Sequence, residues 1–430
     1  MIRNELAASA NSLWHATANA SLEFLRLEER ARADVAIIGG GFTGLSAALH
    51  LVERGVKVAL VEAEHPGWGA SGRNGGQVIP GLKDDPETIV KRWGPELGPR
   101  LVRFVGGAPD VVFDLVHRYA IDCDASRAGW IQPAHSASGL ETAKRRAEEW
   151  RQWDADVDVL SAADVASLVG TDAYVGGLID RRGGGIHPLN FALGMAAAAR
   201  RAGVSIYGRS KATSIEKSSE GMIVRTPGGQ IAAGHVLVCT NAYTDGLAGP
   251  LARSVVPVRS VQVATRPLSE NVRASILPEG HVASDTRRLL MYFRLDRDGR
   301  LLMGGRGAYS ENGTRKQQEN LRRATKAMFP QIGDVEWDYF WGGFVAMTRD
   351  HLPHLHEIRP GVTAALGYNG RGVAMATAMG RVLADRALGV EDRDLDFPVT
   401  GVSPIPFYGF RKPLVSALAA WYRLRDGMGR

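Results

Sequence analysis

Apolar and polar positions change period several times along the chain, and each change marks an element. Val35-Ala36-Ile37-Ile38 is a continuous apolar run, the pattern of a strand buried on both faces of a parallel sheet. Leu45, Ala48, Leu49 and Val52 then recur at helical spacing up to Gly55, and Val58-Ala59-Leu60-Val61 is a second apolar run. That order predicts a βαβ unit. Helices are predicted over 141–153, from the cap Ser161 with Asp164 three residues on, and over the alanine-rich stretch 190–202. Short strands at hairpin spacing follow at 212–216, 222–226 and 235–240, with Pro227-Gly228-Gly229 as a turn. Residues 255–265 alternate as a strand, 289–295 and 300–303 form a hairpin about Asp298-Gly299, and 335–340 is another strand. Near the end a strand over 362–366, a glycine-rich loop over 367–372 and a helix over 373–388 repeat the opening order.

Between the first strand and helix lies Gly39-Gly40-Gly41-Phe42-Thr43-Gly44, which fits G-x-G-x-x-G. The first glycine permits the tight turn, the second lets backbone approach a pyrophosphate, and the third lets helix pack on strand. Glu62 falls 18 residues after Gly44, where a carboxylate can take ribose hydroxyls. Strand, helix, strand and acid in register point to a dinucleotide, FAD or NAD. The nearest approach to a second such unit, Gly304-Gly305-Arg306-Gly307, follows a strand but leads into no helical pattern. With one site, a bound FAD has to be reduced by the substrate itself. A bound NAD would leave two loops without a use: 67–77, with five glycines in eleven residues, and the late 367–372 loop. The late helix N-terminus suits the negative charge of a reduced flavin.

Composition narrows the picture little. At 430 residues and 45% hydrophobic, the chain is long enough for two domains with their own cores. Its 52 basic and 46 acidic residues leave +6, too modest and scattered for a nucleic-acid surface, so no nucleic-acid partner is expected. Two cysteines, Cys123 and Cys239, exclude a disulfide framework and fit a reducing compartment. No 18 consecutive apolar residues occur, so the protein is expected to be cytoplasmic without a transmembrane helix. His351, His354 and His356 are interrupted by Pro353, and a loop without metal is expected there.

IIGGGFTGLSAALHLVERG, GWGASGRNGGQ, GGGIHPLN, YFWGGFVAMT and GYNGRGV together resemble the D-amino-acid-oxidase-type superfamily of FAD-dependent oxidoreductases, and more closely its γ-glutamylputrescine oxidoreductase-like branch. The resemblance runs over about residues 12–390. It implies an α/β fold, α+β overall: a Rossmann-like FAD-binding domain (32–80, 176–250 and 341–392) and a mixed-sheet substrate domain (81–175 and 251–340). It implies oxidation of a C–N bond by hydride transfer to FAD, giving an imine that water hydrolyses. Carried over by motif, Gly39, Gly41 and Gly44 would bind the pyrophosphate and Glu62 the adenosine ribose. Ser71, Arg73, Asn74, Gly75 and Gln77 would line phosphate and flavin, Ala212 would clamp adenine by its backbone, and Gly370, Gly372 and Val373 would meet the flavin's pyrimidine side.

Three departures shape the expectation. Near Gly343 there is no cysteine of the kind that attaches FAD in sarcosine-oxidase-like members, so FAD is expected to be non-covalent. Gly343-Phe344-Val345 lacks the carboxylate-binding arginine of glycine- and D-amino-acid-oxidase-like members. Where sarcosine-oxidase-like members carry a lysine after the late glycine loop, this chain has Ala374, which leaves oxygen and a membrane quinone as candidate acceptors.

The expected substrate is a small amine or amino acid, either of the γ-glutamylputrescine kind or a cyclic or N-methyl amino acid such as pipecolate. A flavoprotein acting on a macromolecule such as tRNA is the alternative class. Tyr292 and Arg294 alternate onto one strand face, as a phenol beside the amine and a guanidinium for a substrate carboxylate, unless Arg294 pairs with Asp296 or Asp298. Arg371 either favours reduced-flavin charge or ties loop carbonyls. Tyr243 and Trp341 either close an aromatic substrate pocket or belong to the core.

The tail, 393–430, carries a helix predicted after Pro413 with Leu414, Leu418, Trp421 and Leu424 or Arg425 on one side, preceded by Phe407, Tyr408 and Phe410. Residues 404–430 hold five basic groups against Asp426. One reading packs this helix on the enzyme's own surface or on a second subunit; the other lays it on an anionic membrane as a peripheral contact.

Overall fold

In a computed structural model, residues 11–427 are described apart from 21, 220, 309 and 310. The apolar run at the start becomes the strand Arg30–Ile38, whose second half is buried on both faces. It lies between Val58–Val61 and Gln230–Val238, parallel to both, in a nine-stranded sheet. Val362–Leu366 pairs parallel with the far half of Gln230–Val238, and Ser205–Tyr207 with Val58–Val61. Covered on both sides, these strands have no use for alternation, and Ile37, Leu60 and Leu237 are fully buried. Each such side chain contributes roughly 1.5–3 kcal/mol relative to exposure.

The helix Phe42–Val52 follows the glycine motif and packs on the late helix Gly372–Ala387. Ser46 Oγ donates to the Thr377 carbonyl (2.7 Å), and a side chain at Gly380 would meet Ser46. Thr43 and the Tyr368 phenol share a 2.7 Å hydrogen bond. The late strand, loop and helix therefore return to the glycine motif.

A second, eight-stranded sheet runs in the order Trp337–Met347, Val256–Thr265, Leu301–Arg306, Tyr292–Leu295, Val282–Ser284, Trp130–Pro133, Gly177–Asp180, Val157–Leu160. Its pairs are antiparallel except Val282–Ser284 with Trp130–Pro133. Two stretches that the sequence reading places with the nucleotide-binding segments, 177–180 and 341–347, are strands of this second sheet. The strand read as 335–340 runs from Trp337 to Met347 because Val256–Thr265 pairs along it, ten residues against eleven with a register shift at Ala264/Thr265. Gln77–Val78 and Gly184–Gly185 form a small ladder. The helix Glu311–Met328 was not anticipated: it is polar except where Leu321 and Met328, seven residues apart, bury themselves. Among the described residues no helix is long and apolar enough to cross a membrane.

Candidate active site

A cavity of about 720 Å³ is walled by residues of both large sheets. Gly39, Gly40, Gly41 and Glu62 line one end of it. Gly39 turns at φ +110°, and a Cβ there would lie 2.8 Å from the Cys239 carbonyl oxygen. Gly41 precedes the helix without a side-chain cap, leaving helix N–H groups for an anion. Gly44 stays outside the cavity wall, where a Cβ would collide with the Gly39 carbonyl. Glu62 is buried; its carboxylate accepts from the Gly40 amide (2.6 Å) and the Glu64 amide (3.0 Å). Burial raises its pKa and those amides pull it back down. A glycine-lined helix N-terminus and a fixed carboxylate in one cavity fit the pyrophosphate and ribose of FAD. Ala212 lines the same cavity.

The 67–77 loop supplies the next part of the wall. Ser71 Oγ accepts from the Phe42 amide (2.9 Å), tying loop to motif. Asn74 closes the loop on itself: its Nδ2 donates to the carbonyls of Ser71 (2.8 Å) and Ala70 (3.1 Å), and its Oδ1 accepts from the Gly76 amide (2.8 Å). The Asn74 carbonyl in turn accepts from the buried Trp14 indole (2.8 Å). Arg73 is buried with its guanidinium over the Trp68 ring at 4.3 Å. Its carbonyl accepts from Gln262 Nε2 (2.6 Å) and Trp341 Nε1 (3.0 Å). Gln77 donates to the Ala283 (2.8 Å) and Phe293 (3.2 Å) carbonyls, joining the loop to the second sheet. Ser71, Arg73, Asn74, Gly75 and Gln77 all line the cavity, as do Gly370, Gly372 and Val373 of the late loop and helix.

Tyr292 lines the cavity and is wedged between Gly75 and Gly304, where either glycine's Cβ would strike its ring. Ser260 Oγ donates to the Gly305 carbonyl (3.1 Å), so the Tyr292 phenol is the donor in their 2.9 Å hydrogen bond. Burial raises the phenol's pKa to about 12, and it stays protonated at neutral pH.

Arg294 shares that strand face but does not line the cavity. Its guanidinium donates to the carbonyls of Gly76 (3.0 Å), Ile186 (2.7 Å) and Leu295 (3.1 Å). Asp296 and Asp298 pair instead with Arg300. Arg371 does line the cavity; it donates to the Pro80 carbonyl (3.0 Å) and sits over Trp130 at 4.9 Å. Tyr243 lines the cavity edge-on to Trp68. Trp341 is core, edge-on to Trp14 and behind the Arg73 carbonyl it holds.

Sequence reasoning missed Ser260, Gln262 and Lys83, all on the cavity wall. Ser260 and Gln262 had a signal: they alternate with Val261 and Val263 in a strand, so a polar pair faces one side. Gln262 Oε1 is buried with no hydrogen-bond partner among the described residues, an acceptor left for a bound cofactor or substrate. Lys83 lies in an irregular loop, where no periodicity marks orientation.

A family model described as FAD dependent oxidoreductase, DAO, matches residues 34–386. The γ-glutamylputrescine oxidoreductase of Escherichia coli (strain K12) is 35% identical, over 97% of this chain and 99% of that protein. A probable oxidoreductase, OrdL, of Rhizobium meliloti (strain 1021) is 35% identical over 92% of each chain. The crystal structure of glycine oxidase from Geobacillus kaustophilus superposes with a TM-score of 0.70 at 25% identity, covering 84% of this chain and 96% of that one.

Proposed function

The chain belongs to the DAO family of FAD-dependent oxidoreductases acting on amines and amino acids, and we propose that it oxidises the C–N bond of a small amine or secondary amino acid. The substrate is of the γ-glutamylputrescine kind, or a cyclic or N-methyl amino acid such as pipecolate, and water hydrolyses the imine product. The carrying observation is one cavity that joins the glycine cradle and Glu62 to Tyr292 and Trp130, so substrate and cofactor share a chamber. FAD bound in this cavity would supply a hydride acceptor for the carbon beside the amine nitrogen. Gly39, Gly41, Glu62 and the 67–77 loop hold the cofactor without a covalent link. Tyr292, protonated and fixed by Ser260, orients the amine and takes no proton from it. Asp285 at the cavity wall pairs with Arg287. Arg371 places a positive charge near the late loop.

The test is anaerobic mixing of the FAD-loaded protein with γ-glutamylputrescine, putrescine, pipecolate and sarcosine. Bleaching of the flavin band by at least one of them is expected. Full retention of the band with every amine would overturn the reading.

A second reading, in which electrons pass to a membrane quinone rather than oxygen, is favoured by the exposed aromatic tail. Phe407 is 85%, Phe410 70%, Leu414 69% and Trp421 52% exposed.

A further inference from the structure

With Arg294 bound to carbonyls and no arginine at Val345, the cavity needs another cation if it is to hold a carboxylate. On the rest of the cavity wall Arg73, Arg259, Arg288 and Arg306 are each engaged by neighbours, and Lys211 pairs with Asp245 (2.6 Å). The wall formed by residues 79–83 and the helix Ala137–Arg151 supplies further candidates. Arg146 is already answered: it donates to Asp85 Oδ1 (2.6 Å) and Gln132 Oε1 (2.7 Å). Arg287 pairs with the buried Asp285. Lys83 is different. Among the described residues its ammonium makes no hydrogen bond and no ion pair, and the neighbouring Asp84 is turned to Arg92 (3.1 Å). Its backbone, by contrast, is held near that wall, because the Lys83 carbonyl accepts from Arg146 (3.4 Å) and the Pro80 carbonyl from Arg371 (3.0 Å).

We propose that Lys83 receives a carboxylate of the substrate, so that the enzyme selects amines carrying an anionic group over plain diamines. The inference rests on the amine-oxidising reading above and names its substrate class. Lys83 reaches solvent, yet enough protein surrounds it that desolvation, followed by the Arg371 charge, lowers its pKa. An anion beside the ammonium restores the charged form. Lys83 and Arg371 are two cations of one cavity, and neither bonds a carboxylate among the described residues. A plain diamine adds positive charge to that chamber. A carboxylate on the same molecule offsets it, and a charge-assisted hydrogen bond to Lys83 adds to the binding. The carboxylate has two sources: the distal acid of an acylated diamine, or the α-carboxylate of a secondary amino acid.

The experiment compares near-isosteric pairs that differ by one charge, N-glutarylputrescine against its terminal amide and pipecolate against pipecolamide, using anaerobic flavin bleaching by the full-length FAD-loaded enzyme. The acid of at least one pair is expected to be favoured about tenfold to a hundredfold in the flavin-reduction rate constant divided by Kd, mainly through Kd; the favoured pair identifies the source. Lys83→Met should erase the preference and Lys83→Arg should keep most of it. Equal use of acid and amide in both pairs by the wild type overturns the proposal, and so does an equal loss on acid and amide in Lys83→Met. If no amine bleaches the flavin, the functional reading fails instead, and glutarate titrated against the flavin spectrum still decides the site. A Kd raised about tenfold in Lys83→Met upholds it, and an unchanged Kd refutes it.

Discussion

The Arg294 guanidinium is answered by main-chain carbonyls rather than by an acid. It holds Gly76 of the cofactor loop and Ile186 of the segment before the next helix, and both carbonyls lose a donor if it is removed. The Gly76 carbonyl would keep the Ile186 amide as a donor (2.8 Å), but the buried Ile186 carbonyl would be left unsatisfied, which is costlier than losing a surface ion pair. Arg294→Met is expected to destabilise the protein by about 3 kcal/mol and to lower the FAD content of the purified protein. Urea unfolding with flavin absorbance per chain measures both. A variant of normal stability and flavin content that loses only its affinity for amino acids would return Arg294 to the substrate. Tyr292 shows the same division on the same strand, since one step along it a side chain of the same face reaches the cavity. Alternation told that the two share a face; it carried no information on which backbone groups waited behind that face.

The helix Pro188–Arg201 is capped by a histidine. His187 Nδ1 accepts from the Asn190 amide (3.1 Å), so that nitrogen carries no proton, and Nε2 donates to Thr17 Oγ1 (3.1 Å). Burial, and then the Arg294 charge, lower its pKa to about 4. A histidine whose folded pKa lies below its unfolded value binds fewer protons when folded, so stability rises with pH between about 4 and 6.5 and is lost on acidification through that window. From pH 7 to pH 5 this group alone is expected to remove about 2 kcal/mol. His187→Asn keeps a cap acceptor without the titration, and should lessen the acid-induced fall in unfolding free energy by that amount; an unchanged fall would refute it. The sequence reading sets this helix at 190–202, whereas it begins at Pro188, and it does not show His187 as the cap, an imidazole whose other nitrogen is fixed by Thr17, 170 residues away. The same contrast separates the two ends of the cavity. Gly39, Gly41 and Glu62 line the cavity from within one local βαβ unit, so spacing alone could single them out. Lys83, Ser260, Gln262 and Tyr292 meet only after a sheet is assembled.

At the scale of the molecule, the tail is fastened at its base and open beyond it. The Ile405 amide donates to the Arg253 carbonyl (2.8 Å) and the Tyr408 phenol to the Val255 carbonyl (3.0 Å). The helix Arg411–Gly427 then leaves Leu414 and Trp421 exposed; the side chains of Leu418, Leu424 and Arg425 lie outside the described residues. Deleting 404–430 is expected to abolish retention on phosphatidylglycerol vesicles while substrate still bleaches the flavin. Full-length protein that ignores those vesicles would leave the tail to a second subunit. The sheet order has a further bearing, on how the protein is made. The glycine motif is translated early, but its strand Arg30–Ile38 waits for Gln230–Val238 as a neighbour, and the cavity waits for the loop at 370–373. At about 5–20 residues per second, the interval on the ribosome is on the order of tens of seconds. The nascent chain carries its most recognisable signature throughout that time with no completed chamber to put it in, so cofactor capture belongs after the 370–373 loop has been made.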